Sequence, residues 1–152
     1  MKNIIVMSDS HGMLPSGHEF WQILDESDYI IHLGDGYREI ETLKKVYPEK
    51  LIYVLGNCDS STGEPFKIVE IEGIKLLLTH GHKFGVKNDL TELTFECKYQ
   101  NVRYALYGHT HFAKADEIEG VTLINPGSIG YGRTYCYISI ASSKLVYKIV
   151  QL

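Results

Sequence analysis

Five polar clusters in this chain of 152 residues carry side chains that ligate cations: Ser8-Asp9-Ser10-His11-Gly12, Gly34-Asp35-Gly36, Gly56-Asn57-Cys58-Asp59, Thr79-His80-Gly81-His82 and Gly108-His109-Thr110-His111. Together they offer two carboxylates (Asp9, Asp35), one amide (Asn57) and four imidazoles (His11, His80, His109, His111). This mixture of oxygen and nitrogen donors suits a borderline divalent ion such as Mn, Fe, Co, Ni or Zn, and no close cysteine pair marks a structural zinc knuckle. Seven ligands exceed the need of one ion. Two ions sharing a carboxylate solve the count, and Asp35, alone in its loop, is the expected bridge. Two dipositive charges about 3.5 to 4 Å apart repel by on the order of 18 kcal/mol at an effective dielectric of about 20. Anionic bridges, a carboxylate and a hydroxide, are therefore required.

The clusters need elements to carry them. Each follows a short apolar run, and in an open α/β sheet the carboxyl ends of the strands are where ligands bind. Strands are expected at Ile4–Met7, Tyr29–Leu33, Leu51–Leu55, Leu76–Thr79 and Val102–Tyr107, and helices at 18–25, 37–47 and 88–99, the last begun by a capping Asn88 or Asp89. Neighbouring strands lie about 4.8 Å apart, so such loops can converge on one site. Gly12, Gly34, Gly56, Gly81 and Gly108 are expected to let the backbone turn between strand end and ligand. The Asp-x-His and His-x-His spacings place both side chains on one face if the loop stays extended. Three antiparallel pairs are expected besides: 66–71 with 74–79, 115–118 with 121–124, and 135–140 with 145–150. Parallel units plus hairpins suggest two facing sheets flanked by helices, with one mixed sheet as the alternative.

Outside the seven ligands the readings are plainer. His82 fits the ligand slot less well than His80 and is left facing either the substrate or solvent. His18 and His32 are assigned to a helix start and a strand, Asp59 to capping a turn or orienting a ligand, and the eleven Tyr and Trp21 to packing. The segment Gly127-Ser128-Ile129-Gly130 is expected to be a turn behind the site.

Composition sets the frame. Length and a 44% apolar content predict a single domain over residues 1–152 with an ordinary core. Fifteen Lys and Arg against nineteen Asp and Glu give a net charge of −4, which argues against nucleic acid as a generic partner and leaves room for a small phosphate-bearing one. Three separated cysteines, Cys58, Cys97 and Cys136, fit reduced thiols in the cytoplasm. The apolar run at Ile4–Met7 is too short for a signal peptide or membrane span and is read as a strand.

The ordered series Asp9-x-His11, Gly34-Asp35, Gly56-Asn57, His80-Gly-His82 and Gly108-His109-x-His111 resembles the calcineurin-like metallophosphoesterase superfamily, from residue 9 to residue 111. Gly56-Asn57-Cys58-Asp59, Thr79-His80-Gly81-His82 and Asn125-Pro126-Gly127-Ser128 are similar to its small YfcE-type phosphodiesterases. The resemblance implies a four-layer αββα sandwich of two mixed sheets flanked by helices. It gives Asp9, His11, Asp35 and His111 to one ion and Asp35, Asn57, His80 and His109 to the other. Manganese is the first expectation for both ions, with nickel, iron, cobalt or zinc as substitutes. The expected reaction is hydrolysis of a small phosphodiester by a hydroxide bridging the two metals. Asn57 and Cys58 are its candidate catalytic groups beside the ligands. Asn57 binds an ion without adding charge and can touch a phosphate oxygen, while Cys58 stands where many members carry a leaving-group His. A good leaving group or a solvent proton is favoured over a dedicated acid. A homo-oligomer and a non-catalytic protein-interaction scaffold, like the retromer subunit of the same architecture, are the alternatives carried forward.

Overall fold

The computed structural model describes residues 1–60 and 62–152. In chain order they form β1 (Lys2–Met7), α1 (His18–Glu26), β2 (Tyr29–His32), α2 (Tyr37–Val46), β3 (Leu51–Tyr53), β4 (Lys67–Ile71), β5 (Ile74–Leu78), α3 (Thr91–Tyr99), β6 (Tyr104–Leu106), β7 (Lys114–Ile118), β8 (Val121–Asn125), β9 (Thr134–Ala141) and β10 (Lys144–Gln151). The strands make two mixed sheets, β10-β9-β1-β2-β3 and β4-β5-β6-β8-β7, which removes the one-sheet alternative.

Burial explains why the inner strands read as unbroken apolar runs. Ile4 and Val6 of β1 face the space between the sheets, where they meet Ile31 of β2, Leu76 and Leu78 of β5, Leu106 of β6 and Ile124 of β8. Ile5 and Met7 point the other way, onto Phe20 and Leu24 of α1 and Leu43 of α2. On the second sheet Leu77 points away from the shared core, onto Leu93 and Cys97 of α3. A strand covered on both faces loses its polar alternation. Each such Leu or Ile contributes roughly 1.5–3 kcal/mol by leaving water. The layers are therefore helix, sheet, sheet, helix, as the resemblance implied.

All three expected hairpins form, with pairs β4/β5, β7/β8 and β9/β10. Their turns hold two residues with positive φ, Glu72-Gly73 (49° and 80°), Glu119-Gly120 (50° and 83°) and Ser142-Ser143 (52° and 58°), the backbone that matches the right-handed twist of the flanking strands.

The site-bearing strands end earlier than the sequence suggests. β2 stops at His32 and β3 at Tyr53, and β6 keeps only Tyr104–Leu106. The chain leaves the ladder there to form the loops, while single bonds continue the pairing: Leu33 N–H to Met7 O (2.9 Å), Asp9 N–H to Gly34 O (2.9 Å) and Gly108 N–H to His80 O (2.9 Å). Helix α3 begins at Thr91 rather than Asn88 because the Asp89 carboxylate accepts the Thr91 N–H at 3.0 Å and so stands outside the helix it starts. No helix among the described residues is long and apolar enough to cross a membrane.

Candidate metal centre

Parallel pairing aligns β1, β2 and β3 in one sheet and β5, β6 and β8 in the other. Their carboxyl ends meet. Asp9 Oδ1 lies 3.2 Å from His111 Nε2, 3.7 Å from His11 Nε2 and 3.8 Å from His80 Nε2. Asp35 Oδ2 lies 3.2 Å from His80 Nε2 and 3.8 Å from His11 Nε2. Two sets, Asp9-His11-His111 and Asp35-His80-His109, each keep their donor atoms within 4.8 Å of one another, as does His11-Asp35-Cys58. Six of the seven expected ligands are thus gathered. Asn57 is exposed beside them, its amide donating to Cys58 Sγ at 3.7 Å.

Each carboxylate divides its two oxygens. Asp9 Oδ2 accepts the Ser8 hydroxyl (2.6 Å) and the His109 N–H (3.1 Å), and Asp35 Oδ1 accepts the Cys58 N–H (2.9 Å), while the second oxygen of each faces the imidazoles. His80 donates Nδ1–H to the Leu33 carbonyl at 2.8 Å, which turns Nε2 to the cluster as a free donor atom. Among the described residues Asp9 Oδ1, His11 Nε2 and His80 Nε2 are buried without a hydrogen-bond partner. Buried polar atoms are nearly always paired. Three such atoms converging, with oxygen and nitrogen donors around them, fit a divalent cation.

The electrostatics agree. Burial would push Asp35 up, but the close approach and charge of His80 and the Cys58 N–H outweigh it and hold the carboxyl well below the usual range. Burial pulls His80 down, and the carboxylates of Asp35 and Asp9 more than reverse this, so its ring favours a proton at the position a cation would take. His109 is lowered to about 4 by burial and by the charges of His80 and Lys87, which keeps it a neutral donor. Burial and the Asp35 charge raise the Cys58 thiol, which therefore stays protonated at neutral pH. His82 is lowered by burial and His80, and its ring lies 5.5 Å from that of His80 and 6.1 Å from that of His109, at the edge of the cluster.

The ligand loops are not extended. Asp9, His11, Asp35, His109 and His111 have φ of 55°, 44°, 60°, 71° and 67°, so the left-handed turns fall on the ligands themselves. Such backbone is costly outside glycine and persists only where neighbours hold it, often at functional sites. Here the bonds Asp9 N–H to Gly34 O (2.9 Å) and His11 N–H to Asp35 O (3.0 Å) do so. Among the expected turn glycines, Gly34 has φ of 102°, whereas Gly108 serves by leaving space: a Cβ there would strike Ser8 Oγ and Asp9 Oδ2.

Further residues hold the ligand loops in place. Ser128 Oγ donates to the Asp9 carbonyl at 2.7 Å and Ile129 N–H to Ser8 O at 3.0 Å, so the expected turn behind the site fixes the first loop. Asp59 accepts the N–H groups of Asp35 (2.7 Å), Gly36 (3.0 Å) and Gly56 (2.8 Å), the orienting role expected of it. His32 accepts the Gly34 N–H on Nδ1 (3.1 Å), so its Nε2–H donates to Ser10 Oγ (2.9 Å), and Ser10 donates to Glu39 Oε1 (2.6 Å), which also takes the Gly12 N–H (2.7 Å). Glu39 was legible only as an acid on the apolar stripe of α2, buried with Ile40 and Leu43. Tyr131 departs from the packing role given to the tyrosines: 66% exposed, it stacks on His111 with ring centroids 5.6 Å apart, on a loop that returns past the site.

Comparison with known proteins follows the same lines. The chain is 30% identical over 154 residues to the phosphodiesterase YfcE of Escherichia coli K12, covering 85% of this chain and 80% of that protein. A predicted phosphoesterase from Streptococcus pneumoniae TIGR4 superposes with a TM-score of 0.79 at 26% identity, over 99% of this chain and 89% of that one. Vacuolar Protein Sorting 29 of Cryptosporidium parvum shares the fold, with a TM-score of 0.76 at 18% identity over 98% and 96% of the two chains. Residues 1–145 match the calcineurin-like phosphoesterase superfamily domain, and with its ligand-bearing loops in order at the strand ends the chain belongs to that superfamily, beside the small YfcE-type phosphodiesterases.

Proposed function

We propose that this protein hydrolyses a small phosphodiester at the Asp9–Asp35–histidine cluster with two divalent cations. The observation that carries the reading is the convergence of Asp9 Oδ1, His11 Nε2 and His80 Nε2, buried and unpaired among the described residues. Asp9, His11, Asp35 and His111 would hold one ion and Asp35, Asn57, His80 and His109 the other, with manganese the first choice. Bound there, the ions would supply Lewis-acid charge and lower the pKa of the attacking water toward neutrality.

The chain's own groups prepare that chemistry. Asp35 stays ionised, and in this reading it serves both ions. Ser8 and the His109 N–H hold the Asp9 carboxylate, Ser128 holds the Asp9 main-chain carbonyl, and Leu33 O fixes the tautomer of His80. Asn57, neutral and exposed at the rim, can meet a phosphate oxygen without adding charge. Cys58, a protonated thiol, hydrogen-bonds weakly, so a leaving group stable as an anion or protonated by solvent remains the expectation. The free thiols Cys58, Cys97 and Cys136 fit a reducing cytoplasm.

A protein-holding scaffold has one observation in its favour: Phe95 and Tyr99, 70% and 77% exposed one turn apart on α3. Two side chains fall short of a large apolar patch. The test is chelation followed by manganese titration, reading metal bound per chain and hydrolysis of bis(p-nitrophenyl) phosphate and of p-nitrophenyl phosphate. Two ions per chain are expected, with diester turnover tracking the loading and exceeding monoester turnover. Full diester turnover in chelated protein would overturn the proposal.

A further inference from the structure

Beside the metal cluster lies a cavity of about 450 Å³, bounded by the segment that precedes α3 and by the loop that carries His109 and His111. Its floor is apolar and buried: Val86, Leu90 and Tyr107. Thr110, which lines it, stands between His109 and His111 in the chain, so the cavity borders the loop that carries both histidines. Its wall is Phe112, 73% exposed. The Phe112 N–H donates to Thr110 Oγ1 at 3.2 Å, and the same oxygen accepts Asn125 Nδ2 at 2.9 Å, so the ring is carried on a loop tied to the end of β8. Asn88, at the cavity's edge, offers an amide donor and acceptor.

An apolar floor, an exposed aromatic side chain and an amide, with the polar ends of Lys87, Asp89 and Lys114 also lining the cavity, together fit a planar heteroaromatic ring better than an alkyl chain, because such a ring needs stacking and an in-plane hydrogen bond at once. The net charge of −4 disfavours a nucleic-acid polymer. We infer that the cavity binds the nucleobase of a small nucleotide phosphodiester, with Phe112 as its stacking platform and the phosphate at the metal cluster. This rests on the phosphodiesterase reading and narrows its substrate class.

Two aryl diesters with the same leaving group test it: the p-nitrophenyl ester of thymidine 5′-monophosphate and methyl p-nitrophenyl phosphate, each assayed with manganese. The thymidine ester should have kcat/KM about tenfold higher or more, through KM, as expected for one base–aromatic stack. Phe112→Ala and Phe112→Leu should collapse the ratio toward one, and Phe112→Trp should keep it. Equal kcat/KM for the two esters in the wild type, or a ratio that survives Phe112→Ala, would overturn the inference. A second arm needs no turnover: saturation-transfer NMR with thymidine 5′-monophosphate should show the base protons in contact with wild-type protein and released in Phe112→Ala. Absence of that contact overturns the nucleobase site even if both esters are cleaved. Failure to cleave either ester would instead remove the hydrolase reading, with the contact still deciding the cavity.

Discussion

The two sheets bring different things to the site. The first contributes both carboxylates, Asp9 after β1 and Asp35 after β2, and the second contributes three of the four imidazoles, His80 after β5 and His109 and His111 after β6. Two donor sets take members from both, Asp9 and His11 with His111 and Asp35 with His80 and His109, while a third, His11-Asp35-Cys58, lies on the first sheet's loops alone. The first sheet's loops are held by a dense polar network running through Ser8, Ser10, His32, Glu39, Asp59 and Ser128. In the second, His109 and His111 rest on left-handed backbone with fewer such supports. The carboxylates are thus held in place by hydrogen bonds, and the second sheet's imidazoles are brought to them by sheet packing.

That division can be broken at its anionic side first. Asp35→Asn removes the carboxylate that the proposed function gives to both ions, and diester turnover should fall by about a thousandfold or more. The circular dichroism spectrum should be unchanged, since Asp35 contributes one side-chain hydrogen bond and no core packing. Activity near that of the wild type would mean that the imidazoles suffice.

The polar network behind the first sheet gives the next effect. His32 is buried and its pKa lowered to about 4, burial outweighing the carboxylates of Asp59, Glu39 and Asp9. Its folded value lies below the unfolded one of about 6.5, so the unfolded chain takes up a proton the native state refuses. Stability from this residue is complete above pH 6.5 and is lost as pH falls toward 4, by about 3 kcal/mol in all. Urea unfolding across that window should show the decline, and His32→Gln should flatten it whatever its stability at pH 7. An equal slope in the variant would place the titration elsewhere, with His109 the other group in the window.

The smallest effect tests the seam. Gly108→Ala puts a Cβ against Ser8 Oγ and Asp9 Oδ2, where the second sheet's loop closes on the first sheet's carboxylate. Displacing Asp9 should cost about tenfold in kcat/KM with little change in melting temperature, because the core on either side is untouched. An undisturbed kcat/KM would show that the seam has slack.

Much of this was legible beforehand for local reasons. The apolar runs of β1 and β5 announce burial on both faces, and the polar clusters after them announce loops at one edge. The hairpin turns at Glu72-Gly73 and Glu119-Gly120 were readable from glycine in a two-residue turn. Other features gave little local signal. Glu39 sits inside a helix and Ser128 lies far along the chain from the Asp9 carbonyl it holds, so their roles exist only once distant loops meet. The left-handed φ of the ligands was hidden for the same reason: propensity disfavours it, and tertiary hydrogen bonds impose it.

The amino-acid sequence by itself determined which side chains could ligate, in what order, and behind which strands, because residue type and apolar periodicity are properties of short segments. Only the tertiary structure decided that Glu39 and Ser128 brace the first loop, that Tyr131 covers a histidine rather than the core, and that Phe112 lines a cavity beside the loop of His109 and His111. Those outcomes depend on how two sheets stack and on angles and distances between residues more than a hundred positions apart, as from Asp9 to Ser128. No local pattern encodes that geometry.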